Sequence, residues 1–163
     1  MSDLVDTIIG QWRDVRPDLD TEPISVVGRV LRLASLVRKA TEEVLAESGL
    51  NRPEFDLLCA VRRGGDTMTP SRISREELSS GAAVTKRLER LTDLGLVVRE
   101  RSNRDRRVTH IRLTEHGRST VDTLLPKQID AERAVLADLT DRQRAHLANL
   151  LSTALATAEH RAS

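Results

Sequence analysis

The chain has 163 residues, 39% hydrophobic and 31% charged, which suits one domain with a full-sized core, and no apolar run approaches the ~18 residues that cross a bilayer. The net charge of +1 is unevenly placed: residues 71–118 hold 12 Lys/Arg against 7 Asp/Glu, and the rest of the chain holds 14 against 18, a basic middle on an acidic scaffold that suggests a local polyanion site. One Trp, one Phe and no Tyr argue against base stacking on aromatics, the mode of single-stranded nucleic-acid binders, and the single Cys59 excludes an internal disulfide and fits a reducing cytoplasm.

In chain order, the N-terminus carries acids and no basic segment, so a signal peptide is not expected. Val5, Ile8, Ile9, Trp12 and Val15 fall at helical spacing and predict a short helix over 4–15, stopped by Pro17. Thr21 is placed to cap a second helix with Pro23 in its first turn. Val27, Val30, Leu31, Ala34, Val37, Val44 and Leu45 form its apolar stripe, and Gly49 ends it. Asn51 caps a third helix, "RPEFDLLCAVRR", closed by Gly64-Gly65.

Thr69 and Pro70 open a short helix through Leu78, Ser79-Ser80-Gly81 break it, and another helix runs over 81–94 to Gly95. Two short helices around a tight Ser/Gly turn are the sequence form of a helix-turn-helix. "LVVRER" and "RVTHIRL" then read as strands joined by the turn "SNRD". Thr114 caps a long helix reaching about Leu139, with Gly117 in its first turns and an irregularity expected at Pro126. A last helix starts at Thr140 or Asp141, with Leu147, Leu150, Leu151 and Leu155 on one face. A hairpin directly after a helix-turn-helix predicts a winged helix: a mainly α fold of α+β winged-helix type. Six arginines between Arg99 and Arg112 would then surround the hairpin tip, where they can reach phosphates or a minor groove.

"NRDRRVTHIRLTEHG" resembles the wing signature of the MarR family of transcriptional regulators, an Asp-Arg-Arg tip followed by a strand and Leu-Thr-x-x-Gly. "SSGAAVTKRLERLTDLGLVVRE" resembles that family's recognition helix and first wing strand, and the similarity extends over the whole chain. The resemblance implies one chain in which 1–50 and 114–163 form a helical dimerisation region and 51–113 a DNA-binding winged helix-turn-helix. It implies a homodimer reading a pseudo-palindromic operator in double-stranded DNA, probed by a small anionic or phenolic ligand that releases it. The N-terminal helix with its Trp, "RPDLDTEPISVVGRVLRLA" and "GLNRPEFDLL" resemble the urate-responsive branch in particular. In that branch the residues matching Trp12, Asp56 and Arg87 bind or transmit the ligand. Where the branch often carries an Asn, this chain has Gly64.

Residue by residue, Val84, Leu88 and Leu91 make the core stripe of the second short helix, so Ala82 and Lys86 face away from it and Thr85 flanks that face. Lys86 and Thr85 are candidates for base or phosphate contacts, and Ala82 lets the helix sit deep in the major groove. Ser79 and Ser80 serve either as caps or as phosphate ligands. Arg72 and Arg75 are candidate phosphate contacts, or simply exposed. At the hairpin tip Asp105 can hold the turn by pairing with Arg107, while Arg104, Arg106 and Arg107 are the candidates for entering the minor groove. Arg87 lies at the edge of the buried stripe and needs an anion; Asp56, alone in "FDLLCAV", is its expected partner, either as a structural ion pair or as a ligand-sensitive one. Trp12 packs in a core or dimer interface, or lies over a flat ligand. Cys59 sits in an apolar run without a nearby cation, which favours an inert thiol over a redox sensor.

No metal or cofactor is expected, since the four histidines and one cysteine show no ligand spacing. No Ser-His-Asp order or phosphate-cradling loop points to an enzyme. The sequence thus reads as a ligand-responsive, sequence-specific DNA-binding regulator with repression as the expected sign. The alternatives are a phenol- or antibiotic-responsive regulator and a non-specific architectural DNA binder.

Overall fold

A computed structural model describes residues 2–76, 80–101 and 108–162 of the chain. Helix α1 (Leu4–Val15) opens on a capping box in which the Asp3 carboxylate accepts the N–H groups of Val5 and Asp6, and Asp6 returns a bond to the Asp3 N–H. Helix α2 (Glu22–Leu45) follows a loop held by an Arg16–Asp18 pair. The expected Thr21 side-chain cap is not made; Asp20 accepts the Glu22 N–H instead, at 2.9 Å, and Pro23 leaves one fewer donor to satisfy. A 3-10 turn, Ala46–Ser48, and Gly49 at φ 68° close α2.

Helix α3 (Arg52–Arg63) begins with a second capping box, Asn51 with Glu54. Strand β1 (Thr67–Met68), helix α4 (Pro70–Glu76), helix α5 (Gly81–Asp93) and strands β2 (Val97–Arg101) and β3 (Thr109–Leu113) complete a winged helix. The sheet is antiparallel with order β1-β3-β2, Val97 facing Leu113 and Arg101 facing Thr109, and Thr67 facing Arg112 on the other edge. The two-residue β1 is absent from the sequence reading, being too short to show a period of two. Helix α6 (Glu115–Val135) starts from the Thr114 cap as expected, but it ends four residues before Leu139 and runs through Pro126 without a break. Helix α7 (Asp141–Ala162) is preceded by Thr140, whose hydroxyl accepts the Gln143 N–H.

The core is aliphatic around one ring. Phe55, Leu57, Leu58 and Val61 of α3 meet Ile73 of α4, Val84, Leu88 and Leu91 of α5, Val97, Ile111 and Leu113 of the sheet, and Val121 of α6, all fully buried. Leu45 brings the end of α2 into the same cluster. Elsewhere the helices keep their apolar stripes in the open. Val26, Val27, Val30 and Leu31 of α2 and Leu150, Leu151 and Leu155 of α7 are exposed, Leu31 at 66%. The stripe read from the sequence is real, but among the described residues its Val27, Val30, Leu31 and Ala34 stay exposed although α1 and α6 pack on the same helix. Each such Val or Leu, already partly covered, forgoes roughly half of the about 1.5–3 kcal/mol that full burial gives.

Two arginine junctions tie the helices together. Arg52 donates to Asp56 (2.7 Å) on its own helix, to the Thr41 hydroxyl of α2 (3.0 Å) and to Glu132 of α6 (3.4 Å). The buried Gln128, oriented to satisfy its amide, accepts from the same guanidinium at 3.0 and 3.2 Å. At the other end of α3, Asp66 stands in the left-handed region (φ 64°), which Asp tolerates, and takes Arg62 at 3.1 Å and Arg118 at 2.9 Å.

Helix α1 is fastened to α2 by Arg29, which pairs with Asp3 (2.8 Å) and Asp6 (2.6 Å). The Asp3 N–H and then Arg29 hold the Asp6 carboxyl below its ordinary 3.8. A depressed carboxylate pKa contributes stability above its unfolded value, and that contribution is lost as pH falls through the folded value. Acidification below 3.8 is therefore expected to loosen α1 before the core melts. The anisotropy of the single Trp12 would report it by falling; a constant anisotropy down to about pH 2 would contradict the tie.

Candidate nucleic-acid interface and effector site

Helix α5 presents two faces because Val84, Leu88 and Leu91 recur at i, i+4 and i+7. With these buried, Ala82, Thr85 and Lys86 are exposed on the opposite side, as the spacing predicts. Ser80 caps the helix by accepting the Ala83 N–H at 3.3 Å, and the Thr85 hydroxyl turns back to the Gly81 carbonyl at 2.9 Å. Arg72 and Arg75 of α4 are exposed beside it, Arg72 paired with Glu76 at 2.8 Å. Strands β2 and β3 lead away from this face with Arg99 and Arg101 exposed, and Arg112 is held against Glu100 by a cross-strand bond of 2.8 Å. Ser79, Arg104, Asp105, Arg106 and Arg107 lie outside the described residues.

The expected Asp56–Arg87 pair is not formed. Asp56 has a partner four residues back on its own helix, and the local Arg52 takes it. Helix α5 is joined to α3 by a different pair. Glu54, only 3% exposed, accepts from Arg90 of α5, and Arg90 also donates to the Gly49 carbonyl at 2.8 Å. Arg90 escaped the sequence reading because it lies beyond the apolar stripe; the Asn51-x-x-Glu54 capping box was the signal that Glu54 is fixed. Arg87 is half-buried on α5. Trp12, 45% exposed, stands on α1, which packs on α2. The three residues assigned to effector binding thus sit on three separate helices, and the structure does not join Asp56 to Arg87.

Residues 48–108 match the model of the MarR family. The transcriptional regulator PecS of Dickeya dadantii is 34% identical over 149 residues, 90% of each chain. The chain belongs to the MarR family. Within it, the chain lies on the PecS branch. Like these relatives, this MarR chain is a DNA-binding transcriptional regulator and not an enzyme. Among solved structures, a mutant MarR of Escherichia coli complexed with operator DNA has a TM-score of 0.71 at 23% identity, covering 94% of this chain and 99% of that one. BpsR of Bordetella bronchiseptica, whose DNA binding is regulated by 6-hydroxynicotinic acid, also has a TM-score of 0.71 at 23% identity, covering 78% of this chain and 91% of that one. At these identities the likeness is one of fold. No helix among the described residues is long and apolar enough to cross a membrane.

Proposed function

We propose that this MarR chain acts as a homodimeric repressor that leaves a pseudo-palindromic operator when a small anionic aromatic effector binds. The observation that carries the reading is the exposed Ala82–Thr85–Lys86 face of α5, on a helix whose other side is locked into the core. Residues 51–113 supply the reading head; 1–50 and 114–163 supply the dimer scaffold. The uncovered apolar stripes of α2 and α7 support the second part, because a second copy would bury them. Lys86 and Thr85 face bases or phosphates in the major groove, with Ser79 and Ser80 at the helix start. Arg72 and Arg75 contact flanking phosphates, and Arg104, Arg106 and Arg107 reach the minor groove, with Asp105 bracing the turn.

Lys86→Ala is expected to weaken operator binding by about tenfold and to lower the salt slope by about one. An unchanged affinity at matched salt would remove Lys86 from the interface.

For the effector, similarity to the urate-responsive branch supports urate or a related purine, with Trp12, Asp56 and Arg87 as the residues that contact it or carry its effect. A phenolic effector is the second reading. The test is a titration of DNA from the chain's own upstream region at fixed salt, with and without urate. Weakening by urate supports the proposal. Binding that urate leaves intact refutes urate, and release by a phenol would establish the second reading.

A further inference from the structure

Strand β2, "VVRER", alternates, and the register of the sheet gives the alternation a meaning. Residues paired across antiparallel strands stand on the same face. Val97 pairs with Leu113, Arg99 with Ile111 and Arg101 with Thr109. Val97, Leu113 and Ile111 are buried in the cluster that also holds Val84, Leu88 and Leu91 of α5. Arg99 and Arg101 therefore stand on the α5 side of the hairpin, in a row that turns from apolar to basic where the strand leaves the core. Both are exposed, and the described positions of this face carry no acid. The opposite face is different. There Glu100 stands across from His110, and Arg112 donates to the Glu100 carboxylate at 2.8 Å. That bond holds the Glu100 carboxyl below its ordinary 4.5, so the acid stays ionised and offsets the arginine. The hairpin is thus basic on the side of α5 and balanced on the other.

We infer that Arg99 and Arg101 bind the DNA backbone that runs between the major groove entered by α5 and the minor groove reached by the hairpin. With α5 in one groove and the hairpin at the next, the phosphates separating the grooves lie in the angle between the two elements, which is the side these arginines occupy. Residues two apart on a strand are about 6.6 Å apart, so the two guanidiniums take separate phosphates of one DNA strand. The inference rests on DNA binding through α5 and needs no effector. It adds a contact on the stem of the hairpin to those assigned to its tip. An edge strand such as β2 also uses positive charge to keep other chains from pairing with it, and that use would leave DNA binding indifferent to both residues.

The experiment titrates the full-length protein against the chain's own upstream duplex and a scrambled duplex over a range of salt concentrations. Arg99→Gln and Arg101→Gln are each expected to weaken binding about tenfold on both duplexes and to lower the salt slope by about one, and the double variant by about two. Arg112→Gln removes the same charge from the balanced face and is expected to change the slope by less than half as much. All three side chains are exposed, so glutamine leaves the sheet intact. A double variant with the wild-type slope would reduce the two arginines to guards of the edge. An equal loss in Arg112→Gln would show a diffuse effect of charge with no preferred face. A loss confined to the natural duplex would mean that they read sequence instead of phosphate. Each of these results overturns the proposal. The slopes decide it on either duplex, so a wild type without preference for the natural one refutes the operator reading and leaves this test whole.

Discussion

Gly117→Ala is expected to cost about 3 kcal/mol of stability, the upper end for overpacking. A Cβ on Gly117 would stand 2.0 Å from the Leu96 carbonyl oxygen and 2.9 Å from its carbon. That carbonyl cannot retreat, because it accepts both the Thr114 N–H (3.1 Å) and the Thr114 hydroxyl (3.2 Å). The same threonine caps α6 by accepting the Gly117 N–H at 2.9 Å. The start of α6, the end of β3 and the entry to β2 therefore meet around one missing side chain. Moving them apart would tilt the hairpin against α5, so operator affinity should fall together with stability. Urea unfolding followed by circular dichroism measures the first effect; a midpoint equal to wild type would mean that the close approach of α6 to Leu96 is wrong. This contact also gives physical content to the last position of the Leu-Thr-x-x-Gly signature: only glycine lets the helix pass over that carbonyl.

Glu54→Ala is expected to lower stability by about 2 kcal/mol, more than a surface substitution can. The carboxylate is buried and serves two donors, the Asn51 N–H at 3.0 Å and the guanidinium of Arg90. Its loss leaves the first turn of α3 half capped and frees Arg90, which then holds only the Gly49 carbonyl. Because Arg90 is on α5, that helix keeps its apolar packing but loses its polar tie to α3, and specific DNA affinity should drop by more than non-specific affinity. A double-mutant cycle with Arg90→Ala should give a coupling of about 1 kcal/mol or more. Additive effects of the two substitutions would show that the pair carries no energy between the helices.

What the sequence made legible was whatever depends on local pattern. The period of α1, the proline and asparagine at the start of α3, the Ser80 cap and the Val84–Leu88–Leu91 stripe each specify an element from a few neighbouring residues, and those elements formed where expected. Long-range choices were less legible. Asp56 had two possible cations, and the one a helical turn away won over the one on another helix, since a local pair needs less ordering of the chain. Thr21 read as a cap, but residue 23 is a proline and the Ile24 N–H goes to the Thr21 carbonyl, so the helix leaves its hydroxyl no donor to accept. The apolar stripe of α2 announced burial correctly as chemistry; where that burial takes place is not written in the period of a single helix. Strand β1 exists only because β3 offers it an edge, so no local signal precedes it. Of the candidate DNA-binding residues, Arg72 and Arg75 on α4, Ser80 at the start of α5, and Ala82, Thr85 and Lys86 on α5 are exposed, while Ser79, Asp105 and the tip arginines fall outside the described residues.

The most direct test of the account is a comparison of two duplexes of equal length, the chain's own upstream region and a scrambled version, titrated at a fixed salt of about 0.15 M. Sequence reading by paired winged helices predicts saturation at two protomers per site and a preference of about 10³ or more for the natural duplex. Equal affinity for both duplexes, with a steep salt dependence, would contradict it and leave a non-specific DNA binder.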